Sequence, residues 1–145
     1  MKKIFSLFLL VLLIVGCADN SQKKETTVNA SLEYDDGQAI ITFSSYEHDF
    51  GTINEGDVIS HFFQFTNTGT GTLVINSANA SCGCTVPKYD SKPIKPGESG
   101  FVEVRFNSSG TDGHQTKTIT VMSNAEPEVV ILKISADVII NYLND

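Results

Sequence analysis

Residues 57–67 read DVISHFFQFTN, and this segment decides the fold class. Apolar side chains recur in it at every second position, so that Ile59, Phe63 and Phe65 share one face. A period of two is typical of a half-buried β-strand, because successive side chains of a strand point to opposite faces of the sheet. The segment therefore predicts a strand with one face in a hydrophobic core.

Six other segments on either side of this one also have a strand-like pattern. They are AIITF (39–43), YEHDF (46–50), TLVIN (72–76), FVEVRF (101–106), TKTITVM (116–122) and VVILKISADV (129–138). Residues typical of turns lie between several of them, at 67–71, 93–97 and 108–113. No segment has a convincing helical period. We expect an all-β fold, an immunoglobulin-like antiparallel β-sandwich of about seven strands, with a small β-barrel as the alternative.

The N-terminus has the form of a bacterial export signal. Lys2 and Lys3 precede an apolar run from Ile4 to Val15, which is too short to span a bilayer as a helix. The run continues into Gly16 and Cys17, and this junction resembles the lipobox of bacterial lipoproteins, in which cleavage before the cysteine leaves it acylated. The resemblance implies a lipoprotein signal peptide at 1–16 and a lipid such as palmitate on Cys17. An ordinary signal peptide with an incidental cysteine is the alternative.

The segment after Cys17 differs in composition from the rest of the chain. Residues 18–38 are polar and have no sustained apolar period, so they cannot bury enough apolar surface to offset the entropy lost on ordering. We expect a flexible, lipid-anchored tether over 17–38 and one immunoglobulin-like domain over 39–145.

Charge restricts the partners of the chain. The formal net charge is −7, and it becomes −9 when the two lysines of the predicted signal peptide are removed. Nucleic-acid binding needs clustered Lys and Arg, so we expect no nucleic-acid partner. No polybasic patch is present for anionic lipids, so attachment to a membrane of the bacterial cell envelope would depend on the lipid at Cys17. A protein of the envelope is the other expected partner.

The stretch ASCGCTVP (80–87) contains two further cysteines, Cys82 and Cys84. In an extended chain their side chains would share a face, with Cα atoms about 6.5 Å apart, near the upper limit for a disulfide. Gly83 could supply the necessary bend through dihedrals denied to other residues. The small ring would then be reduced more easily than an ordinary structural disulfide. An oxidising envelope permits the bond, and two free thiols are the alternative state.

We expect the pair to be structural, ending a strand and shaping the loop toward Pro87, and two chemical roles are also open at this point. Two thiolates on one face suit Cu(I) or Zn(II), and further ligands could come from His48, His61, His114 and Met122. None of these four stands at ligand spacing from another, and each has an ordinary structural interpretation. Thiol-redox exchange is the other role, although the spacing is not Cys-x-x-Cys and Lys88 is the nearest base in the sequence.

A family resemblance covers roughly Thr42 to Val138. Its most specific elements are Phe50-Gly51, the Phe-x-Phe-x-Asn-x-Gly run at 63–69, and the Cys-Gly-Cys-Thr run at 82–85. These residues resemble the bacterial domain of unknown function 1573, whose fold is related to the Hydin-like immunoglobulin domains of ciliary and centrosomal proteins. The resemblance implies an exported immunoglobulin-like sandwich, often lipid-anchored and common in Bacteroidetes-like bacteria. It supplies no catalytic activity.

Motifs of common enzymes are missing from the sequence. It has no Gly-rich phosphate loop opening a helix, no Gly-x-Ser-x-Gly and no His-Glu-x-x-His, and the acids near the first turns are best explained as solvated charges. We expect a non-enzymatic envelope lipoprotein without a cofactor, which acts as a binding or assembly module. Its expected contact surfaces are an exposed sheet edge and the loops at one end of the sandwich, including a loop from Cys82 to Pro87. The alternative is a periplasmic thiol-redox or copper/zinc-binding protein that uses Cys82 and Cys84.

Overall fold

The computed structural model of the chain describes residues 37–140. These residues form eight strands: β1 (Ile41–Phe43), β2 (Glu47–Asn54), β3 (Val58–Asn67), β4 (Ile75–Ala80), β5 (Thr85–Tyr89), β6 (Ser99–Asn107), β7 (Gly113–Ser123) and β8 (Val129–Ile139). No helix able to cross a membrane occurs among the described residues. The predicted signal peptide, Cys17 and nearly all of the predicted tether lie outside the described residues.

The strands form two four-stranded sheets. Sheet 1 has the order β1-β3-β6-β5, and sheet 2 has the order β2-β8-β7-β4. The predicted all-β sandwich is therefore confirmed. One pairing departs from the predicted antiparallel arrangement, because β2 and β8 run parallel, with Glu47 opposite Lys133 and Ile53 opposite Val138. Residues 44–46 carry the chain from sheet 1 to sheet 2, which places β2 beside the last strand instead of beside β1.

Two strands, β4 and β5, depart most from the prediction. β5 was not predicted, because Pro87 weakens the strand signal of this five-residue segment. Proline is tolerated there because β5 pairs on one side only, as the edge strand of sheet 1. β4 begins at Ile75 instead of residue 72, and Leu73 forms an isolated bridge with Ile94.

The core lies between the two sheets and is built from the alternating apolar positions. Phe63 and Phe65 of β3 are each 1% exposed, and Phe106 of β6 is also buried. Leu132 and Ile119 face them from sheet 2 and are fully buried. Removing these side chains from water is the main driving force that holds the sheets together.

One fully buried polar side chain, Asn67, joins β1 to the turn that follows β3. Its Nδ2 donates to the backbone carbonyls of Gly71 and Ile94, at 2.8 and 3.0 Å. Its Oδ1 accepts from the N–H of Gly69 at 3.1 Å and from that of Ile40 at 3.4 Å. The chain packs so closely here that a Cβ on Gly69 would overlap the backbone carbonyl of Gln38. The Asn and Gly of the Phe-x-Phe-x-Asn-x-Gly run therefore have a structural role.

Candidate functional site

The cysteine pair lies where the chain crosses between the sheets. Residues 81–84 connect β4 of sheet 2 to β5 of sheet 1. Cys82 and Cys84 are joined by a disulfide with an S–S distance of 2.07 Å and a Cα–Cα distance of 5.4 Å. On the same side of the sandwich the Tyr89 hydroxyl donates to the carbonyl of Asn76 at 3.0 Å. The disulfide thus sits at a fixed junction between two edge strands.

The bend that brings the cysteines together does not depend on a special conformation of glycine. Gly83 has no positive φ, and a Cβ built on it would meet no atom within 4 Å. The expectation about Gly83 is therefore wrong. The Cα atoms approach because residues 82–85 form a turn, in which the N–H of Thr85 donates to the carbonyl of Cys82 at 3.2 Å.

The hydroxyl of Thr85 lies beside both sulfurs. Its Oγ1 is 3.6 Å from Cys82 Sγ and 3.9 Å from Cys84 Sγ. Thr85 is 3% exposed, so burial holds its hydroxyl in this position. A threonine hydroxyl can donate a proton to a neighbouring sulfur, and such a bond strengthens when the sulfur becomes a thiolate.

An open depression of about 440 Å³ borders the disulfide on the outer side of sheet 1, and we call it the disulfide cleft. It is lined by Gly83, Cys84, Val86, Lys88, Arg105, Asn107 and Ser109.

Two cations line this cleft. The antiparallel register of β5 and β6 places Val86 opposite Arg105. Neither Arg105 nor Lys88 forms an ion pair with another described residue. The structure thus adds Arg105, which is distant in the sequence, to Lys88 as a cation that lines the same cleft as Cys84.

The four candidate metal ligands are spread over the sandwich. His48 of β2 stacks on His61 of β3, with ring centroids 3.6 Å apart. Nδ1 of His114 lies 2.8 Å from a carboxylate oxygen of Asp137, and Met122 is exposed on β7, opposite Val129. None of the four lines the disulfide cleft. Residues 37–140 contain no group of three or more His, Cys, Asp or Glu side chains that could hold a metal ion.

The outer face of sheet 1 carries an exposed aromatic pair. Phe62 and Phe101 are 54% and 47% exposed, and their rings meet edge to face with centroids 5.3 Å apart. Sequence analysis did not single out this pair. The doublet Phe62-Phe63 is the signal that could have found it, because only one of two consecutive strand residues can face the core.

Comparison with known proteins shows the family and the fold. The model of a family described as "Protein of unknown function (DUF1573)" matches residues 41–138. No curated protein sequence matches the chain significantly. Among solved structures, a protein of unknown function from Porphyromonas gingivalis W83 is 19% identical with a TM-score of 0.61, over 69% of this chain and 47% of that one.

Two other solved structures have the same fold. The VesB protease of Vibrio cholerae is 16% identical with a TM-score of 0.55, over 69% of this chain and 32% of that one. The ASH/PapD-like domain of human CEP192 is 14% identical with a TM-score of 0.54, over 70% of this chain and 86% of that domain. The chain thus spans less than half the length of both bacterial proteins, and identities this low show the fold alone.

The family match covers β1 through Val138 of β8, and it includes the disulfide, Asn67 and the aromatic pair. The chain belongs to the DUF1573 family.

Proposed function

We propose that the chain is a bacterial envelope lipoprotein whose sandwich is a non-enzymatic binding module, and that it contacts a protein partner with the outer face of sheet 1. The observation that carries this proposal is the exposed Phe62–Phe101 pair. Aromatic side chains supply large contact area at a small cost in conformational entropy, and they are enriched where proteins bind one another.

Two other exposed apolar side chains lie on the same face of sheet 1 as the aromatic pair. Val58 lies on the same face of β3 as Phe62, Val86 lies on the outer side of β5, and both are about half exposed. We call Val58, Phe62, Val86 and Phe101 the aromatic face. Exposed apolar side chains that are grouped on one face, and not scattered singly, are characteristic of interaction sites.

Charged side chains of β6 lie among the residues of the aromatic face. Glu103 lies opposite Phe62 on one side and opposite Lys88 on the other, and Arg105 lies opposite Val86. The face thus combines apolar and charged side chains, and a protein interface taken as a whole is about as polar as the rest of the surface. The charges favour a partner that offers apolar anchors together with polar groups.

The sheet edges are less suited to binding by strand addition. β1 has three residues, and β5 contains Pro87, which has no N–H to offer an added strand. β2 and β4 have register shifts, at Asp49/Thr52 and Ile75/Ser77. An added strand needs a regular run of free backbone groups, so we place the contact on the face of sheet 1 and not on an edge.

Photo-crosslinking in the bacterium that makes the chain tests this proposal. A photoreactive residue at Gln64, which lies opposite Phe101, is expected to form a discrete protein adduct. The same residue at Thr116, on the outer side of sheet 2, is the matched control and is expected to form none.

Phe62→Ser with Phe101→Ser should abolish the Gln64 adduct and leave the circular dichroism spectrum unchanged, because both rings are exposed. Equal adducts at Gln64 and Thr116, or an adduct that persists in the double variant, would contradict the proposal.

A further inference from the structure

We propose that the disulfide cleft is a site of thiol–disulfide exchange with a small thiol that carries carboxylate groups. Val86 belongs both to the aromatic face and to the lining of the cleft, but the inference does not rest on the proposed protein contact. It is based on three features of the described residues: the position of Cys84 at the cleft, the two cations of the cleft and the position of the Thr85 hydroxyl.

The cleft selects which sulfur is attacked. Cys84 lines it and Cys82 does not, although both residues are half-buried. Exchange needs an incoming thiolate to reach one sulfur of the bond, so access decides where attack occurs. The open side of the cleft therefore directs a thiol to Cys84 Sγ, with Cys82 Sγ as the leaving group.

The charges of the cleft define the class of thiol. Lys88 and Arg105 line it, and neither cation is in an ion pair with a described residue, whereas Glu103, which lies opposite Lys88, does not line it. This is a locally cationic site on a chain with a net charge of −7. Guanidinium and ammonium groups bind carboxylates through charge-assisted hydrogen bonds, and a cleft lined by one sign of charge concentrates ions of the opposite sign.

Thr85 can stabilise the product of the first step. When the disulfide opens, Cys82 Sγ leaves as a thiolate, and the Thr85 hydroxyl already lies 3.6 Å from it. A donated hydrogen bond favours the charged form of a group and makes it a better leaving group. Thr85 acts through Cys82, so it is a positioning residue.

The exchange proceeds in two balanced steps. In the first, the thiolate of the small thiol bonds to Cys84 Sγ, and the electron pair of the Cys82–Cys84 bond leaves with Cys82 Sγ, which takes a proton from water. In the second, the thiolate of another small thiol attacks the sulfur of the first small thiol in the mixed disulfide. Cys84 Sγ leaves with the electron pair and is protonated. Two small thiols are oxidised to their disulfide, and the protein disulfide is reduced to two thiols. The reverse sequence oxidises the protein.

The test uses the full chain with Cys17→Ser, purified in detergent, in which Cys82 and Cys84 are the two cysteines that remain. Disulfide opening is followed by trapping of free thiols and by mass, with mercaptosuccinate, 2-mercaptoethanol or cysteamine as the reductant. Thiolates differ in intrinsic nucleophilicity, so the quantity to compare is the anionic-to-neutral rate ratio in each variant. We expect this ratio to fall roughly tenfold in Lys88→Gln/Arg105→Gln, and also in the parent chain at about 0.5 M salt.

A matched control removes two other positive charges. Lys92 and Lys95 are exposed and do not line the cleft, so Lys92→Gln/Lys95→Gln should keep the parent ratio. The proposal is overturned if the cleft variant keeps the parent ratio, if both charge variants lower it equally, or if no thiol opens the disulfide while the chain stays folded.

A second comparison tests Thr85 and includes its own rescue. Thr85→Val should slow opening by all three thiols, and Thr85→Ser, which keeps the hydroxyl, should restore most of the rate. If the valine variant fails to fold, the serine variant and the charge variants still decide the proposal. Equal rates in folded valine and serine variants would exclude a role for the hydroxyl.

Discussion

The imidazole rings of His48 and His61 stack face to face, with centroids 3.6 Å apart and planes within 8°, although His48 belongs to sheet 2 and His61 to sheet 1. Phe50 packs edge-on against His48, and Phe63 against His61, each at 4.6 Å. Burial, with a smaller effect from the charge of His48, holds the pKa of His61 below its ordinary value. The stack therefore joins the two sheets best when His61 is neutral.

This stack predicts that the sandwich loses stability as the pH falls. In the unfolded chain His61 takes up its proton near pH 6.5, whereas the folded chain takes it up at lower pH. Between these two pKa values the unfolded state binds more protons, so the free energy of unfolding falls as the pH drops below about 6.5. Urea unfolding at about pH 8 and pH 5.5 measures the difference.

Replacing either ring is the control for this pH dependence. His61→Gln removes the group with the lowered pKa. The free energy of unfolding of this variant should therefore fall less between pH 8 and pH 5.5 than that of the parent chain. His48→Gln removes the neighbouring charge and should also reduce this loss of stability. Its effect should be smaller than that of His61→Gln, because burial is the larger cause of the lowered pKa. If His61→Gln loses as much stability as the parent chain, the stack is not the source of the effect.

Removing the side-chain amide of Asn67 should greatly lower the free energy of unfolding. Asn67→Ala would leave the buried carbonyl of Gly71 without its donor and the Ile94 carbonyl with the Leu73 N–H alone, and buried unpaired groups are costly. We expect a loss of about 2–4 kcal/mol in the free energy of unfolding, measured by urea denaturation. Asn79→Ala is the control, because Asn79 is exposed and should change stability by less than about 0.5 kcal/mol. If Asn67→Ala also lowered the free energy of unfolding by less than about 0.5 kcal/mol, the prediction would be wrong.

The sequence predicts the strands because their signal is local, but it does not predict which strands meet. The alternation of Phe63 and Phe65 identifies β3 and its inward face without any knowledge of the partner strand. Arg105 comes next to the cysteine pair only through the pairing of β5 with β6. Such long-range register has no local signal in one sequence.

The same limit applies to the histidine stack. The shared parity of His61 with Ile59 and Phe63 places it on the inward face, but nothing near His48 in the chain indicates that it faces His61. The parallel pairing of β2 with β8 sets that contact, with His48 opposite Ile134. Half of the stack can thus be inferred from periodicity, and the other half depends on the topology.

Removing the disulfide should have a small effect on the stability of the sandwich. It closes a loop between residues only two apart, so it removes little entropy from the unfolded chain. Cys82→Ser/Cys84→Ser should lower the free energy of unfolding by about 1.5 kcal/mol and keep the β-sheet spectrum. Urea denaturation without reductant, with the parent chain as reference, gives the value. A double variant that does not fold would show that the disulfide holds the sandwich together.

The lipobox-like junction at Cys17 predicts an anchor made of acyl chains and not of charge. Because the mature chain would carry a formal charge of −9 and has no polybasic patch, washing membranes with about 1 M NaCl should leave it bound, whereas detergent should release it. Labelled palmitate should be incorporated into the parent chain and into Cys84→Ser, the matched control, but not into Cys17→Ser. Palmitate on the Cys17→Ser chain, or release by salt alone, would contradict lipidation at Cys17 as the means of attachment.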